Sequence, residues 1–199
     1  HLGIIIIIIV TFIATSKNDS NDKYKKIKTF SEDHNPSFKP LLQHEAMVFW
    51  NKGVGIQLSH YNLLVNANGI QHAIDLFEDQ TYHINIPPNS MPWVILQTML
   101  PLYTGAPLTS DNPDMRLGIN EGDFQIRFAW DKLEDTSPPS LYVCNENTAF
   151  IAMNKMPIHL TAMDDDTSPQ TITGHSVMMG YIEDALNEKV FTGNSLKIK

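Results

Sequence analysis

The sequence predicts a mainly β domain, an antiparallel sandwich with one short C-terminal helix. Two observations support this prediction. Short apolar or alternating segments recur from residue 41 onward, and turns rich in Gly, Pro, Asn and Asp separate them. Only residues 176–190 carry apolar side chains at helical spacing. We therefore expect residues 41–199 to form a single β-rich domain.

Regular alternation of apolar and polar residues is clearest in TYHINI (81–86), DFQIRFAW (123–130) and PIHLTAM (157–163). A period of two is typical of a strand with one buried face. In these strands His83, Asn85, Gln125 and Arg127 are expected to lie opposite the apolar side chains. The other predicted strands are EAMVFW (45–50), GIQLSHYNLLVN (55–66), HAIDLF (72–77), PWVILQTML (92–100), SLYVC (140–144) and AFIAM (149–153).

The segment DFQIRFAWDKLEDTSPPSLYVC (123–144) resembles a passage of immunoglobulin domains, in which an alternating strand and an acidic turn precede Tyr-x-Cys. The second cysteine of such domains is absent, because Cys144 is the only cysteine in the chain. The resemblance therefore supports a sandwich of jelly-roll or immunoglobulin-like type and does not indicate membership of that family.

The predicted helix covers SVMMGYIEDALNEKV, residues 176–190. Met178, Ile182 and Ala185 recur on one face at helical spacing. Ser176 is suited to cap the start of this helix and Gly193 to close its end.

The N-terminal segment, residues 1–16, resembles a secretory signal. LGIIIIIIVTFIA (2–14) is uncharged but shorter than the roughly 20 residues that span a bilayer, and it matches the apolar region of a signal peptide. Two alternatives are a buried core segment and an uncleaved anchor. Residues 17–40 are polar and almost without aliphatic side chains, which predicts a disordered linker. The expected location is secreted or periplasmic.

The charge balance argues against nucleic-acid binding. The chain has 14 Lys and Arg against 22 Asp and Glu, a formal net charge of -8. Its one basic cluster, within residues 23–28, lies among acidic residues, whereas phosphate backbones require clustered cations. We expect a protein or carbohydrate partner, no nucleic acid, and membrane contact only through the N-terminal segment.

The segment GHSVM (174–178) resembles the nucleophile elbow of a serine hydrolase, G-x-S-x-G. Met178 occupies the position that requires a small residue. No histidine follows Ser176, although the elbow's fold places the catalytic His after the nucleophile. The sequence therefore favours Ser176 as a helix cap.

Methionine and histidine side chains are concentrated in residues 153–179. Thioether and imidazole ligands together favour copper. His159 and Met163 share a face if they lie on one strand, and His175 and Met178 share a face at the start of a helix. These four residues form the predicted metal site, and the alternative is that the methionines fill the core.

Taken together, these patterns predict a secreted, non-catalytic β-sandwich domain that acts in binding or assembly and needs no cofactor. One alternative is a secreted copper-binding protein that uses the Met and His cluster. The other is a serine hydrolase, which the chain order around Ser176 disfavours.

Overall fold

A computed structural model of the chain describes residues 37, 39–88, 90–119, 121–127, 139–142, 150–153, 156–157, 161–163 and 171–197. The signal-like segment 1–16 and nearly all of the predicted linker lie outside the described residues. The chain divides into two compact units, His1–Leu41 and Leu42–Lys199. All the helices and strands given below lie in the second unit.

This unit contains both strands and helices. The strands are β1 (Glu45–Asn51), β2 (Val54–Ser59), β3 (Tyr82–Asn85), β4 (Met115–Gly118), β5 (Phe124–Arg127), β6 (Ser140–Tyr142), β7 (Phe150–Met153), β8 (Met156–Pro157), β9 (Thr161–Met163), β10 (Thr171–Gly174), β11 (Gly180–Tyr181), β12 (Phe191–Thr192) and β13 (Ser195–Lys197). The helices are α1 (His60–Ile74), α2 (Met91–Val94), a π-helix (Ile95–Met99), α3 (Leu100–Thr104) and α4 (Asp184–Val190).

Within the described residues the strands form three sheets. Two are small, with the orders β1-β2-β11 and β12-β13-β10-β9, and the third has the order β3-β4-β5-β6-β7-β8. Strands β3 to β6 are parallel to one another, and β7 and β8 are antiparallel to their neighbours. The fold is therefore mixed α/β. The prediction of a mainly β antiparallel sandwich is wrong, because it mistook two helical regions for strands.

The first of these regions is α1, which follows β2 directly. The Ser59 side chain accepts a hydrogen bond from the Asn62 backbone, and the Asn62 side chain accepts one from the Ser59 backbone, which forms a capping box. Leu63, Ala67 and Ile70 recur at helical spacing and are buried. The glycine and three asparagines of this helix have low helical propensity, so its tertiary contacts outweigh the local preference.

The second region is residues 91–104, which the apolar run PWVILQTML led us to predict as a strand. Pro92 lies in the first turn, and Gly105 closes α3 with a φ of 79°. A short, mostly apolar run has no period that separates a strand from a buried helix. Leu96 and Leu100 are almost fully buried, so apolar side chains dominate this segment of the sequence.

Tyr82 joins the parallel sheet to this helical layer. The Leu100 backbone N–H bonds to Ile95 in the π-helix, and Pro101 has no N–H. The Leu96 carbonyl therefore lacks its usual donors along the helix. The Tyr82 hydroxyl, which is inaccessible to solvent, donates to that carbonyl at 2.5 Å, and burial raises the pKa of Tyr82 far above its ordinary value.

The connection between β4 and β5 is unusually short for parallel neighbours, which ordinarily need a crossover of a dozen or more residues. Only Leu117 and Gly118 of β4 pair with β5, so β5 begins beside the end of β4 and extends beyond it. Loop 119–123 folds back on β4, and Asp123 accepts a bond from the Arg116 backbone. A Cβ atom on Gly122, which has a φ of 109°, would lie 2.6 Å from the Arg116 carbonyl oxygen.

The C-terminal helix is shorter than predicted. It begins at Asp184 and is preceded by Glu183, so Ser176 does not cap it. Gly180 and Tyr181 instead pair with β2. The Asn187 side chain accepts a bond from the Tyr181 N–H and donates one to the Tyr181 carbonyl. These two bonds satisfy the backbone N–H and carbonyl of Tyr181 and hold this residue at the sheet edge. A helix over residues 176–182 therefore cannot form.

Replacing Tyr82 with Phe tests the bond to the π-helix. We expect Tyr82→Phe to lower the free energy of unfolding by about 1–3 kcal/mol, because a buried carbonyl is left without a donor. Tyr103→Phe is the matched control, since its side chain is exposed and its hydroxyl accepts a bond from the Asn68 amide. Urea unfolding followed by circular dichroism provides the measurement, and equal losses in the two variants would contradict this role for Tyr82.

Loop 119–123 leads to a second prediction, about Gly122. Gly122→Ala and Gly53→Ala both place a side chain at positive φ, which costs roughly 1–2 kcal/mol, but a Cβ on Gly53 meets nothing within 4 Å. We expect Gly122→Ala to lose about 1–3 kcal/mol more than Gly53→Ala, since the loop must move away from the Arg116 carbonyl. Thermal unfolding of the two variants measures this difference, and similar melting temperatures would refute the close contact.

Candidate functional site

The parallel strands β3 to β6 carry one apolar and one polar face. Residues paired across parallel strands point to the same side, and neighbours along a strand point to opposite sides. The apolar face consists of Tyr82, Ile84, Met115, Leu117, Phe124, Ile126 and Leu141. The opposite face, called here the polar face, consists of His83, Asn85, Arg116, Gly118, Gln125, Arg127, Ser140 and Tyr142.

The polar face changes from exposed to buried across the sheet. Asn85 and Arg116 are exposed, Gln125 and Arg127 are half-buried, and Ser140 is fully buried. At the exposed side, the Asn85 amide donates to the Glu121 carboxylate at 2.5 Å. This bond ties loop 119–123 to the end of β3. A polar ligand on this face would therefore lie partly out of water, where its hydrogen bonds are stronger.

Arg127 lies at the last position of β5, beside Tyr142 of β6. Its Nε donates to Ser140 Oγ at 2.9 Å, and its Nη2 donates to Gln125 Oε1 at 3.3 Å. Both partners are neutral, and no carboxylate in the described part of the chain pairs with Arg127. A half-buried guanidinium with neutral partners can bind an anion through its remaining N–H groups.

The position of the Arg127 guanidinium agrees with a general rule of α/β folds. Ligands bind in open sheets of this kind outside the carboxyl ends of the parallel strands. Asn85, Gly118, Arg127 and Tyr142 are the last residues of β3 to β6, so they mark that edge. The edge and the polar face beside it are the candidate functional site. The described residues contain no group of three or more His, Cys, Asp or Glu side chains that could hold a metal ion.

A second polar arrangement joins the start of α1 to the segment after β10. The Asn62 side chain, almost fully buried, donates to the carbonyls of His175 at 2.6 Å and Val177 at 2.7 Å. The rings of Tyr61 and His175 lie 4.6 Å apart. Burial, with a contribution from His44, lowers the pKa of the neighbouring His60 imidazole. Since Asn62 also belongs to the capping box, one side chain positions both segments.

The residues of the predicted copper site have different environments. His175 is exposed and Met178 is almost fully buried. The helical spacing that placed them on one face does not apply, because residues 175–178 lie before α4. His159 lies outside the described residues, and of Met163 the structure gives only its place in β9. Copper binding by these four residues stays a prediction. Ser176 is 2% exposed, which buries the residue proposed as a hydrolase nucleophile.

Sequence reasoning missed the polar face as a site, although the signal was present. The alternation in TYHINI and DFQIRFAW identified His83, Asn85, Gln125 and Arg127 as polar positions opposite the apolar ones. It could not show that these two strands lie in one parallel sheet, since pairing depends on contacts between distant parts of the chain.

No family model matches the sequence, and no curated protein matches it. Solved structures do share its fold. The unliganded O-succinylbenzoate coenzyme A synthetase MenE from Bacillus subtilis has a TM-score of 0.58 and 13% identity, covering 79% of this chain and 46% of that one. McyG A-PCP with phenylalanyl-adenylate has a TM-score of 0.63 and 11% identity, covering 87% and 41%.

ATP-bound MatB from Rhodopseudomonas palustris also has a TM-score of 0.63, with 10% identity, and the match covers 80% of this chain and 46% of that one. This chain thus spans less than half the length of each of these three structures. At such low identity the likeness shows the fold alone, which this chain shares with part of each of these three structures.

The comparison corrects the functional hypothesis. The fold shared with these structures is mixed α/β and not a β-sandwich, so the prediction of a non-catalytic β-sandwich domain that acts in binding or assembly is wrong. In the part of the chain that the structure describes, no helix is long and apolar enough to cross a membrane. Secretion itself and a protein or carbohydrate partner stay predictions.

Asn62 provides a test of the junction between α1 and the segment after β10. A carboxylate near a helix N-terminus ordinarily stabilises the helix. We expect Asn62→Asp to destabilise the protein instead, by about 2–4 kcal/mol at pH 7, because two carbonyls lose their donor and face a buried anion. Asn68→Asp on the same helix should change the unfolding free energy by less than about 1 kcal/mol, since Asn68 is only half-buried and bonds an exposed hydroxyl. Chemical denaturation of both variants measures these changes. A free energy of unfolding that is unchanged in Asn62→Asp would contradict the role of Asn62 at this junction.

Proposed function

We propose that this chain acts as an adenylate-forming enzyme domain, which binds ATP and activates a carboxylic acid as its acyl adenylate. One observation carries the proposal. The fold matches structures that hold ATP, AMP or phenylalanyl-adenylate, with TM-scores from 0.55 to 0.63. Because the chain spans less than half of each, the activity is proposed for the protein that contains this domain.

The chemistry sets a requirement for the site. A carboxylate oxygen attacks the α-phosphorus of ATP, the bond to the β-phosphate oxygen breaks, and pyrophosphate leaves with its electron pair. Both reactants are anions, so the protein must bring like charges together and stabilise them with oriented donors and cations. The polar face suits this requirement, since it carries the half-buried Arg127, whose guanidinium bonds only neutral groups among the described residues of an acidic chain.

Nucleotide binding by the full chain tests the proposal. Isothermal titration with ATP, AMP and GMP should show binding of both adenine nucleotides, with GMP at least tenfold weaker, a difference of about 1.4 kcal/mol. AMP and GMP carry the same phosphate, so their comparison separates recognition of adenine from general attraction of anions. The absence of binding by ATP and AMP at millimolar concentration, or equal binding of AMP and GMP, would reject the proposed function.

A further inference from the structure

The carboxyl end of β5 has the properties of an oxyanion site. Arg127 carries a guanidinium, which is cationic, and burial of a charge without an ionic partner is unfavourable. The described residues give it only the hydroxyl of Ser140 and the amide oxygen of Gln125. Neither group neutralises the guanidinium, so an anion bound from solution would supply the missing charge.

The Gln125 amide strengthens this interpretation. Its oxygen accepts from Arg127, so its nitrogen is directed away from the guanidinium and keeps its two N–H donors. Gln125 and Arg127 lie two residues apart on one strand and share its polar side. Together they present donors and no acceptor to a ligand. Such a set favours a fully deprotonated oxyanion with several oxygens.

The charges around this position also favour an anion. Two carboxylates nearby are already engaged, Glu121 with the Asn85 amide and Asp123 with the Arg116 backbone N–H. Both belong to the connection between β4 and β5, whereas Arg127 lies at the far end of β5.

We propose that Arg127, with Gln125 beside it, binds a phosphate group at the carboxyl end of β5. A guanidinium matches phosphate through two parallel N–H bonds, and the amide supplies a further donor. Free phosphate or pyrophosphate and the phosphates of a nucleotide share this chemistry. Of these two sources of the phosphate group, only the nucleotide rests on the proposed function.

The experiment measures ligand affinity for the full chain and two variants. Pyrophosphate, ATP and adenosine are titrated calorimetrically into the wild type, Arg127→Gln and Arg116→Gln. Both substitutions remove one positive charge from the polar face, but the exposed Arg116 side chain has no hydrogen-bond partner among the described residues. We expect Arg127→Gln to weaken pyrophosphate binding at least tenfold and Arg116→Gln to weaken it twofold or less.

A third variant, Arg127→Lys, keeps the charge and removes the planar fork of donors. It should fold as the wild type does, as circular dichroism will show, and still bind pyrophosphate several-fold more weakly. If Arg127→Gln fails to fold, the pyrophosphate affinity of Arg127→Lys is compared with that of the wild type instead. Equal pyrophosphate affinity in the wild type and the folded Arg127 variants, or no binding by the wild type, overturns the site.

The three ligands distinguish free phosphate or pyrophosphate from the phosphates of a nucleotide. They also separate this proposal from the proposed function. ATP binding that depends on Arg127, with weak binding of adenosine, assigns the site to nucleotide phosphates. Pyrophosphate binding that depends on Arg127 without any ATP binding keeps the site and rejects the proposed function. ATP binding that is unaffected in Arg127→Gln keeps the proposed function and rejects the site.

Discussion

The hydrogen bond from Tyr82 to Leu96 is the contact on which the arrangement of sheet and helices depends. Pro101 removes a backbone donor from the helical segment, and the tyrosine hydroxyl replaces it from the neighbouring sheet. The same residue also bonds through its backbone to Pro107 and Thr109. A single buried residue thus fixes the first strand of the parallel sheet to the helical layer through its side chain, and to the chain that leads into β4 through its backbone.

With the apolar side of the sheet directed to the core, the polar side chains of the same strands collect on the other face. This consequence is geometrical, because side chains alternate along every strand and paired residues point the same way. It brings the two arginines of an acidic chain onto one surface without a sequence motif. The site therefore depends on pairing between β3, β4, β5 and β6, and no local pattern encodes it.

Parts of the fold were readable in the sequence. The alternation in TYHINI and DFQIRFAW predicted strands where β3 and β5 occur, and EAMVFW predicted β1. The errors fell where local signals are weak. PWVILQTML is mostly apolar, with Leu96 and Leu100 both buried, so its period does not distinguish a strand from a buried helix. Helix α1 contains residues of low helical propensity whose polar side chains are satisfied inside the protein, as the bonds of Asn62 show.

The sequence by itself determined the side of each alternating strand on which polar and apolar residues lie, the scarcity of arginine, and the acidic balance of the chain. It did not determine which strands pair or whether they run parallel, because those choices depend on contacts between residues far apart in the chain. Only the tertiary structure decided that residues 180–181 extend the β1-β2 sheet rather than lie in a helix, since the Asn187 side chain stabilises the Tyr181 backbone there. It likewise placed Arg127 beside Ser140, thirteen positions later in the chain, as the partner of a hydrogen bond that no local pattern predicts.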